Sequence, residues 1–231
     1  MGFKLTKYGW REVGVATVIA GGLCVVLVIV FWPPVVLPVV VWVWVVLFFR
    51  DPDRQVPTEA GLFVSPADGR VTDITNIGPE GPLGCDGVRV GVFMSIFDVH
   101  VNRSPADAVV VSITRRGGVF LDARDPNASE RNASTTIRLR YNHAGREFPI
   151  VVRQVAGFLA RRIVTDITEE QRLHRGQRIG MIKFGSRLEL MVPAELVARV
   201  CVQIASKVRA GQTILIETER FQTDDSQAET T

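Results

Sequence analysis

Cysteine, histidine and lysine are all scarce in this chain of 231 residues. The three cysteines, Cys24, Cys85 and Cys201, are scattered, with no C-x-x-C pair and no even set to bridge. That excludes a disulfide scaffold and a cysteine-based zinc site, and it fits a reducing compartment. Only His100, His143 and His174 can supply an imidazole. Lysine is limited to Lys4, Lys7, Lys183 and Lys207, so 23 of the 27 basic residues are arginine. A formal net charge of +3 is too small to argue for nucleic acid, but arginine forks suit phosphates and carboxylates. No P-loop, G-x-G-x-x-G, H-E-x-x-H or G-x-S-x-G occurs, so four common routes to phosphate, dinucleotide, zinc or acyl chemistry are closed.

What the chain does have is an apolar beginning. Val13 to Trp32 is twenty residues without a charge, about 30 Å as a helix, enough to span a bilayer core. Pro33-Pro34 breaks it. Val35 to Phe49 is a second uncharged run of fifteen residues, with Trp42 and Trp44. At about 22 Å it is short for a full span. Two readings stand: a tight hairpin, or one span followed by an interfacial piece. Basic residues before the first run (Lys4, Lys7, Arg11) and after the second (Arg50, Arg54) favour a hairpin with both ends cytoplasmic. A cleaved signal peptide is disfavoured, because the apolar region is too long and no A-x-A site follows. Asp51 to Pro57 is a polar, Pro-punctuated linker, which puts the boundary of a membrane segment (1–50) and a β-rich domain (51–231) at this point.

Beyond the linker the pattern is mainly strand. Strands are expected at Leu62–Val64, Arg70–Ile74, Val88–Phe97, Ala108–Thr114, Thr135–Tyr141, Phe148–Val155, in the run ending at Phe184, at Ser186–Val192 and at Thr213–Glu217. Residues 122–134 read as loop. Leu173-His-Arg-Gly-Gln-Arg-Ile179 is echoed by Val208-Arg-Ala-Gly-Gln-Thr-Ile214. Such strand–turn–strand units suit a distorted sandwich or barrel with pseudo-symmetric halves. The fold class expected is mainly β (α+β), membrane-anchored, with an N-terminal helical hairpin.

Three stretches are more polar than strands require. Pro66-Ala-Asp-Gly69 has the composition of a turn. In Phe97-Asp-Val-His-Val-Asn-Arg103, strand alternation would put Asp98, His100 and Asn102 on one face. A histidine there is suited to moving protons near neutral pH. An edge strand emerging into solvent would look the same. The third is Gly185–Ser186, a small-residue step inside an otherwise strand-like run, which also reads as a β-bulge with a serine at its apex. His143 and His174 sit in turn-like contexts.

Taken in order behind an apolar N-terminus, S-P-A-D-G (65–69), F-D-V-H-V-N-R-S-P (97–105) and K-F-G-S-R (183–187) resemble the phosphatidylserine decarboxylase family, in its short proenzyme form. The resemblance runs from the apolar segments to about Glu219. It implies self-cleavage between Gly185 and Ser186 into chains 1–185 and 186–231, with Ser186 converted to a covalent pyruvoyl group. That ketone would serve as electron sink in place of pyridoxal phosphate, taking the serine amine of the lipid as a Schiff base; no metal is implied. By motif position His100 matches the decarboxylation histidine, and Asp68 matches the aspartate that assists serine activation. The family's second histidine, three residues after the first and used with the aspartate in maturation, is here Arg103, so either His100 serves both steps or Asp68 acts with another group. Arg103, with Asn102, would then bind the substrate carboxylate or phosphate. Arg187 also departs from the usual threonine or serine after the cleavage point. The implied partners are phosphatidylserine, the membrane, and the two cleavage chains as a heterodimer, with higher assembly open and no nucleic acid. The implied place is the cytoplasmic side of the inner membrane. The rival expectation is a membrane-anchored sandwich of adaptor or carrier type, since Val208–Ile216 is like turns in lipoyl-type sandwiches. It lacks a Met-Lys-Met-like acceptor and a heptad hairpin.

Overall fold

A computed structural model describes residues 4–30, 36–125, 127–158, 162–183 and 185–219. Helix α1 (Trp10–Val30) and helix α2 (Val36–Phe48) form the expected hairpin. Pro38 lies in the first turn of α2, where a missing N–H costs nothing. Among the described residues α1 is the one helix long and apolar enough to cross a bilayer; α2, with thirteen residues, is about 20 Å long.

The rest is β-rich. In chain order the strands are β1 (Leu62–Val64), β2 (Gly69–Ile77), β3 (Gly87–Met94), β4 (Val101–Arg103), β5 (Ala108–Arg116), β6 (Ser134–His143), β7 (Arg146–Val155), β8 (Ile163–Thr165), β9 (Arg172–Leu173), β10 (Arg178–Ile182), β11 (Ser186–Pro193), β12 (Val197–Val200), β13 (Lys207–Val208) and β14 (Ile214–Thr218). A short helix, α3 (Ala128–Arg131), interrupts the expected loop at 122–134. An eight-stranded sheet runs β13-β2-β3-β11-β7-β6-β5-β9, and two three-stranded sheets run β1-β14-β12 and β4-β10-β8. The core lies against the apolar face of the large sheet, with Val90, Val92, Ile137, Ile150, Leu188 and Leu190 fully buried.

The strand orders contain two equivalent units. One is β1, β2, β3, β11, β12, β13, β14; the other, β4 to β10, is contiguous and inserted between β3 and β11. Mapping one onto the other reverses the large sheet and exchanges the small ones. Ser65-Pro-Ala-Asp68 and Ser104-Pro-Ala-Asp107 are the corresponding segments. Val64 N–H donates to Pro105 O at 3.0 Å and Arg103 N–H to Pro66 O at 2.9 Å, a reciprocal pair across the pseudo-axis. Gly211 N–H to Ser65 O and Gly176 N–H to Ser104 O repeat at 2.8 Å. The two echoed Gly-Gln turns therefore do the same work in each half: each glycine sits at positive φ, where a side chain would be strained.

Two strand expectations are corrected. The run Val88–Phe97 ends as a strand at Met94, and a turn follows in which Asp98 accepts from the N–H and hydroxyl of Ser95 at 2.9 and 2.7 Å. A side-chain carboxylate that closes such a turn competes with the sheet ladder. Nor is Gly185 inside a strand. Strand β10 stops at Ile182, and Ser186 begins β11 in another sheet. The chain changes sheets at this point with Gly185 at φ +58°, a conformation glycine adopts at little cost.

Candidate active site

Insertion of one unit into the other creates two joints, residues 95–100 and 183–185. Ser186 pairs with Met94 in the large sheet, and Met181 pairs with Val101 in the small one. The joints therefore have both ends in register and must lie side by side. His100 ends the first and Gly185 ends the second, and the Gly185 N–H donates to His100 Nε2 at 3.4 Å. His100 and Ser186 are both fully buried. The Ser186 hydroxyl has no hydrogen-bond partner among the described residues.

The tautomer of His100 follows from its other nitrogen. Nδ1 lies 3.0 Å from the Asp98 carbonyl oxygen, which can only accept. Nδ1 therefore carries the proton and Nε2 presents its lone pair to the Gly185 side. Burial pulls the imidazole down to about 4, against the opposing pull of the Asp98 carbonyl and carboxylate, so it is neutral at pH 7. The ring packs on Phe48, with centroids 4.3 Å apart and planes at 34°. Phe48 is the last residue of α2, so the helical hairpin forms one wall of the site.

Asp68 reaches the same end of the sheet by another route. Arg70 pairs with Phe93 and Ser186 with Met94, so the starts of β2 and β11 flank the end of β3. Two strand spacings, about 10 Å of backbone, separate them. The Asp68 carboxylate is held by Arg54 at 2.8 and 3.0 Å and by the Ala210 N–H at 2.8 Å. Burial pushes its carboxyl up, while Arg54 and the Ala210 amide pull the other way. Among the described residues none of its hydrogen bonds runs to His100 or Ser186.

Asn102 and Arg103 are committed to the protein itself. Asn102 is fully buried; Gln154 Nε2 donates to its Oδ1 at 2.8 Å, and Thr165 donates to Gln154 at 2.8 Å. Arg103 is buried and donates to Asp51 at 2.7 Å, Gly176 O at 3.0 Å and Pro52 O at 3.2 Å. Its guanidinium thus clamps the segment that leaves α2, a different use from the expected hold on substrate. Asp51 also accepts from Arg178. His143 and His174 lie away from these joints, on the β6–β7 hairpin and beside Asp107.

Three groups make contacts that sequence reasoning did not foresee, although Lys183 and Arg187 lie in the K-F-G-S-R motif. Gly157 abuts Gly185: a Cβ there would drive into the carbonyl oxygen of Gly185. Lys183 is buried, pairs with Glu12 of α1 and lies 5.5 Å from the Phe49 ring centroid. Arg187 is buried and bridges Asp73 at 2.6 Å and Glu189 at 2.9 Å, with the Ser129 hydroxyl also on Glu189. That ion-pair cluster pins the start of β11 directly after Ser186. Contacts between distant segments left no local signal for any of them, although the repeated Ser-Pro-Ala-Asp was readable.

These features define a β-protein organised around one peptide junction, where a buried serine whose hydroxyl has no partner among the described residues follows a left-handed glycine, and a neutral histidine aims a lone pair at that glycine. The family model for phosphatidylserine decarboxylase matches residues 42–216. The phosphatidylserine decarboxylase proenzyme of Syntrophus aciditrophicus is 40% identical over 205 residues, 87% of this chain and 94% of the relative. That of Cereibacter sphaeroides is 40% identical over 202 residues, covering 86% and 85%, and that of Paramagnetospirillum magneticum 40% over 177, covering 75% and 72%. The chain belongs to the phosphatidylserine decarboxylase family and is an enzyme.

Proposed function

We propose that this protein decarboxylates phosphatidylserine to phosphatidylethanolamine and CO2, using a pyruvoyl group made from its own Ser186. The observation that carries the reading is the junction: the Ser186 hydroxyl, without a partner among the described residues, Gly185 at φ +58° and the His100 lone pair come together in one buried place. The relatives bearing the proenzyme name support it.

In self-processing, the Ser186 hydroxyl attacks the Gly185 carbonyl carbon, and the amide becomes an ester. We assign His100, whose Nε2 accepts from the Gly185 N–H, as the base that takes the hydroxyl proton. Loss of the Ser186 α-proton then expels Gly185 as a carboxylate and leaves a dehydroalanine. Addition of water and loss of ammonia give the ketone at the head of residues 186–231. Asp68, two strand spacings from Ser186 and held by Arg54 and the Ala210 amide, contributes by fixing the start of β2 beside the end of β3. The site fits a group of this size and attachment. Strand β11 is paired on both sides, to β3 and β7, so residue 186 stays in place when the bond before it is cut.

When formed, the pyruvoyl group supplies the electron sink that loss of CO2 from an amino acid requires. His100 handles the protons: neutral, it takes one from the substrate ammonium at Nε2, and it returns one to the carbon that lost CO2. The buried Phe48 wall excludes water from that exchange. Residues 1–50 place the hairpin in the inner membrane, and 51–231 form the catalytic domain on the cytoplasmic side. Chains 1–185 and 186–231 remain together as a heterodimer.

Release of labelled CO2 from vesicles of carboxyl-labelled phosphatidylserine tests the reading. Wild-type protein is expected to release it, and Ser186→Ala and His100→Ala to lose at least about a hundredfold in rate. Wild-type protein that leaves the lipid intact, or full activity in Ser186→Ala, contradicts it.

A further inference from the structure

Exposed apolar side chains on the β-rich part gather at one end. Among the described residues from 51 onward, the exposed large hydrophobics are Phe97, Val111, Val119, Phe158 and Ile204. Val111 lies within β5, and Ile204 lies beside β2 at the sheet edge. The other three follow strand ends that pair with one another: Ser186 with Met94, Arg187 with Val155, and Ser134 with both Val155 and Arg116. Phe97 follows Met94, Val119 follows Arg116, and Phe158 follows Val155. Three separate connections thus expose an apolar side chain at the end where Ser186 sits. Phe97 is 69% exposed and Phe158 67%. The opposite end, with the loop 78–86 and the Ala144–Gly145 tip, carries none of the exposed large hydrophobics. A cluster of exposed apolar side chains marks an interaction surface, where single ones do not.

The helical hairpin joins the domain at this same end. Arg50, just past α2, donates to the Phe97 carbonyl at 2.7 Å. Phe48 packs on His100, and Arg162, beyond Phe158, is close enough to Glu12 of α1 for their charges to interact. Exposed Arg115, Arg124, Arg131 and Arg162 lie on strand ends and connections at this same end, Arg124 paired with Asp122. Apolar tips with arginines on the same connections match a leaflet with anionic headgroups. Gly157, next to Phe158, touches the Gly185 carbonyl, and Phe97 is three residues from His100.

We propose that this end of the β-domain docks on the leaflet that holds the hairpin, with Phe97 and Phe158 seated among the acyl chains as a rim around Gly185–Ser186. A phospholipid then reaches the site sideways from the bilayer, keeping its chains in lipid. The proposal rests on the reading that the hairpin lies in the membrane and the substrate is a phospholipid.

Depth measurement by spin labelling tests docking without reference to catalysis. The full chain, with Cys24, Cys85 and Cys201 changed to serine, carries one label at a time through Phe97→Cys, Phe158→Cys or, at the far end, Glu80→Cys. In vesicles of phosphatidylcholine with phosphatidylglycerol, labels at 97 and 158 are expected to be relaxed more by oxygen than by a water-soluble nickel chelate, and the label at 80 the reverse. Labels at 97 and 158 that behave like the one at 80 overturn the proposal. So do labels shielded from both agents, the result for a rim covered by a second protein chain. In the activity arm, Phe97→Ser with Phe158→Ser is expected to raise KM for vesicle phosphatidylserine about tenfold. KM for a short-chain monomeric phosphatidylserine should stay within about twofold, because that substrate need not leave a bilayer. Equal losses on both substrates also overturn the proposal. Oxygen-accessible labels at 97 and 158, together with wild-type protein that releases no CO2 from either substrate, would sink the decarboxylase reading and leave docking standing.

Discussion

The His100 imidazole meets Phe48 on one face, the Asp98 carbonyl at Nδ1 and the Gly185 N–H at Nε2. The first contact contributes to the burial that pulls the ring down to about 4. Phe48→Ala opens that face to water, so the imidazole is expected to move back toward its ordinary value of about 6.5. The base form is lost as pH falls through the pKa. The acid limb of kcat/KM should therefore be flat from pH 7 to about 5 in the wild type and fall across about pH 6.5 to 5.5 in Phe48→Ala. An unmoved limb contradicts the role given to Phe48. Stability has the same sign. A histidine pulled down by folding contributes fully above about 6.5, and the contribution is lost as pH falls toward about 4. Gly157 acts through space rather than charge. Gly157→Ala would push the Gly185 carbonyl out of place, so it is expected to slow self-cleavage by at least about tenfold, read as uncleaved chain on a denaturing gel. Normal cleavage in that variant would show that the carbonyl position is not critical.

At the scale of elements, the segment leaving α2 is strapped down by charge. Asp51 is buried and accepts from Arg103 and Arg178, while Lys183 pairs with Glu12. Removing one member of a buried pair leaves the other uncompensated. Arg103→Ala is expected to cost about 3–5 kcal/mol of unfolding free energy, measured by denaturant titration in detergent. A loss under about 1 kcal/mol, with a specific rise in KM, would instead return Arg103 to substrate binding. Most of the long strands were legible, because β-branched runs bounded by Gly, Pro and Asp persist in the sheet, as at Ala108–Arg116 and Thr135–Tyr141. The short strands β8 and β12 were not. Three or four residues leave no periodicity, and their pairing comes from β10 and β14. Asp98 misled for a physical reason: the Asp98 carboxylate caps a turn, which strand alternation cannot foresee.

For the whole molecule, the inserted repeat explains why cutting one bond need not release a fragment. Residues from 186 onward supply the central strand β11, the middle strand β14 and the edge strands β12 and β13. The Gly-Gln echo pointed to pseudo-symmetric halves, and the paired Ser-Pro-Ala-Asp segments give that symmetry its axis. What the sequence could not display is the seam, since the meeting of residues 95–100 with 183–185 arises only when both sheets form. Ser186, His100 and Asp68 all come to one end of the large sheet, but Asp68 stays across β3 from the serine, held by Arg54. The hairpin and the β-domain share Phe48, Phe49 and Met181 in one buried cluster, so the boundary expected at Arg50 falls inside a packed interface.

Intact-mass measurement of the purified protein, under native and then denaturing conditions, tests the central claim most directly. The account predicts one assembly that separates on denaturation into chains of residues 1–185 and 186–231, the second opening on a pyruvoyl group that lacks an amino terminus. Ser186→Ala should give a single chain of full length. A wild-type preparation that is active in decarboxylation yet consists of one uncut chain would contradict it.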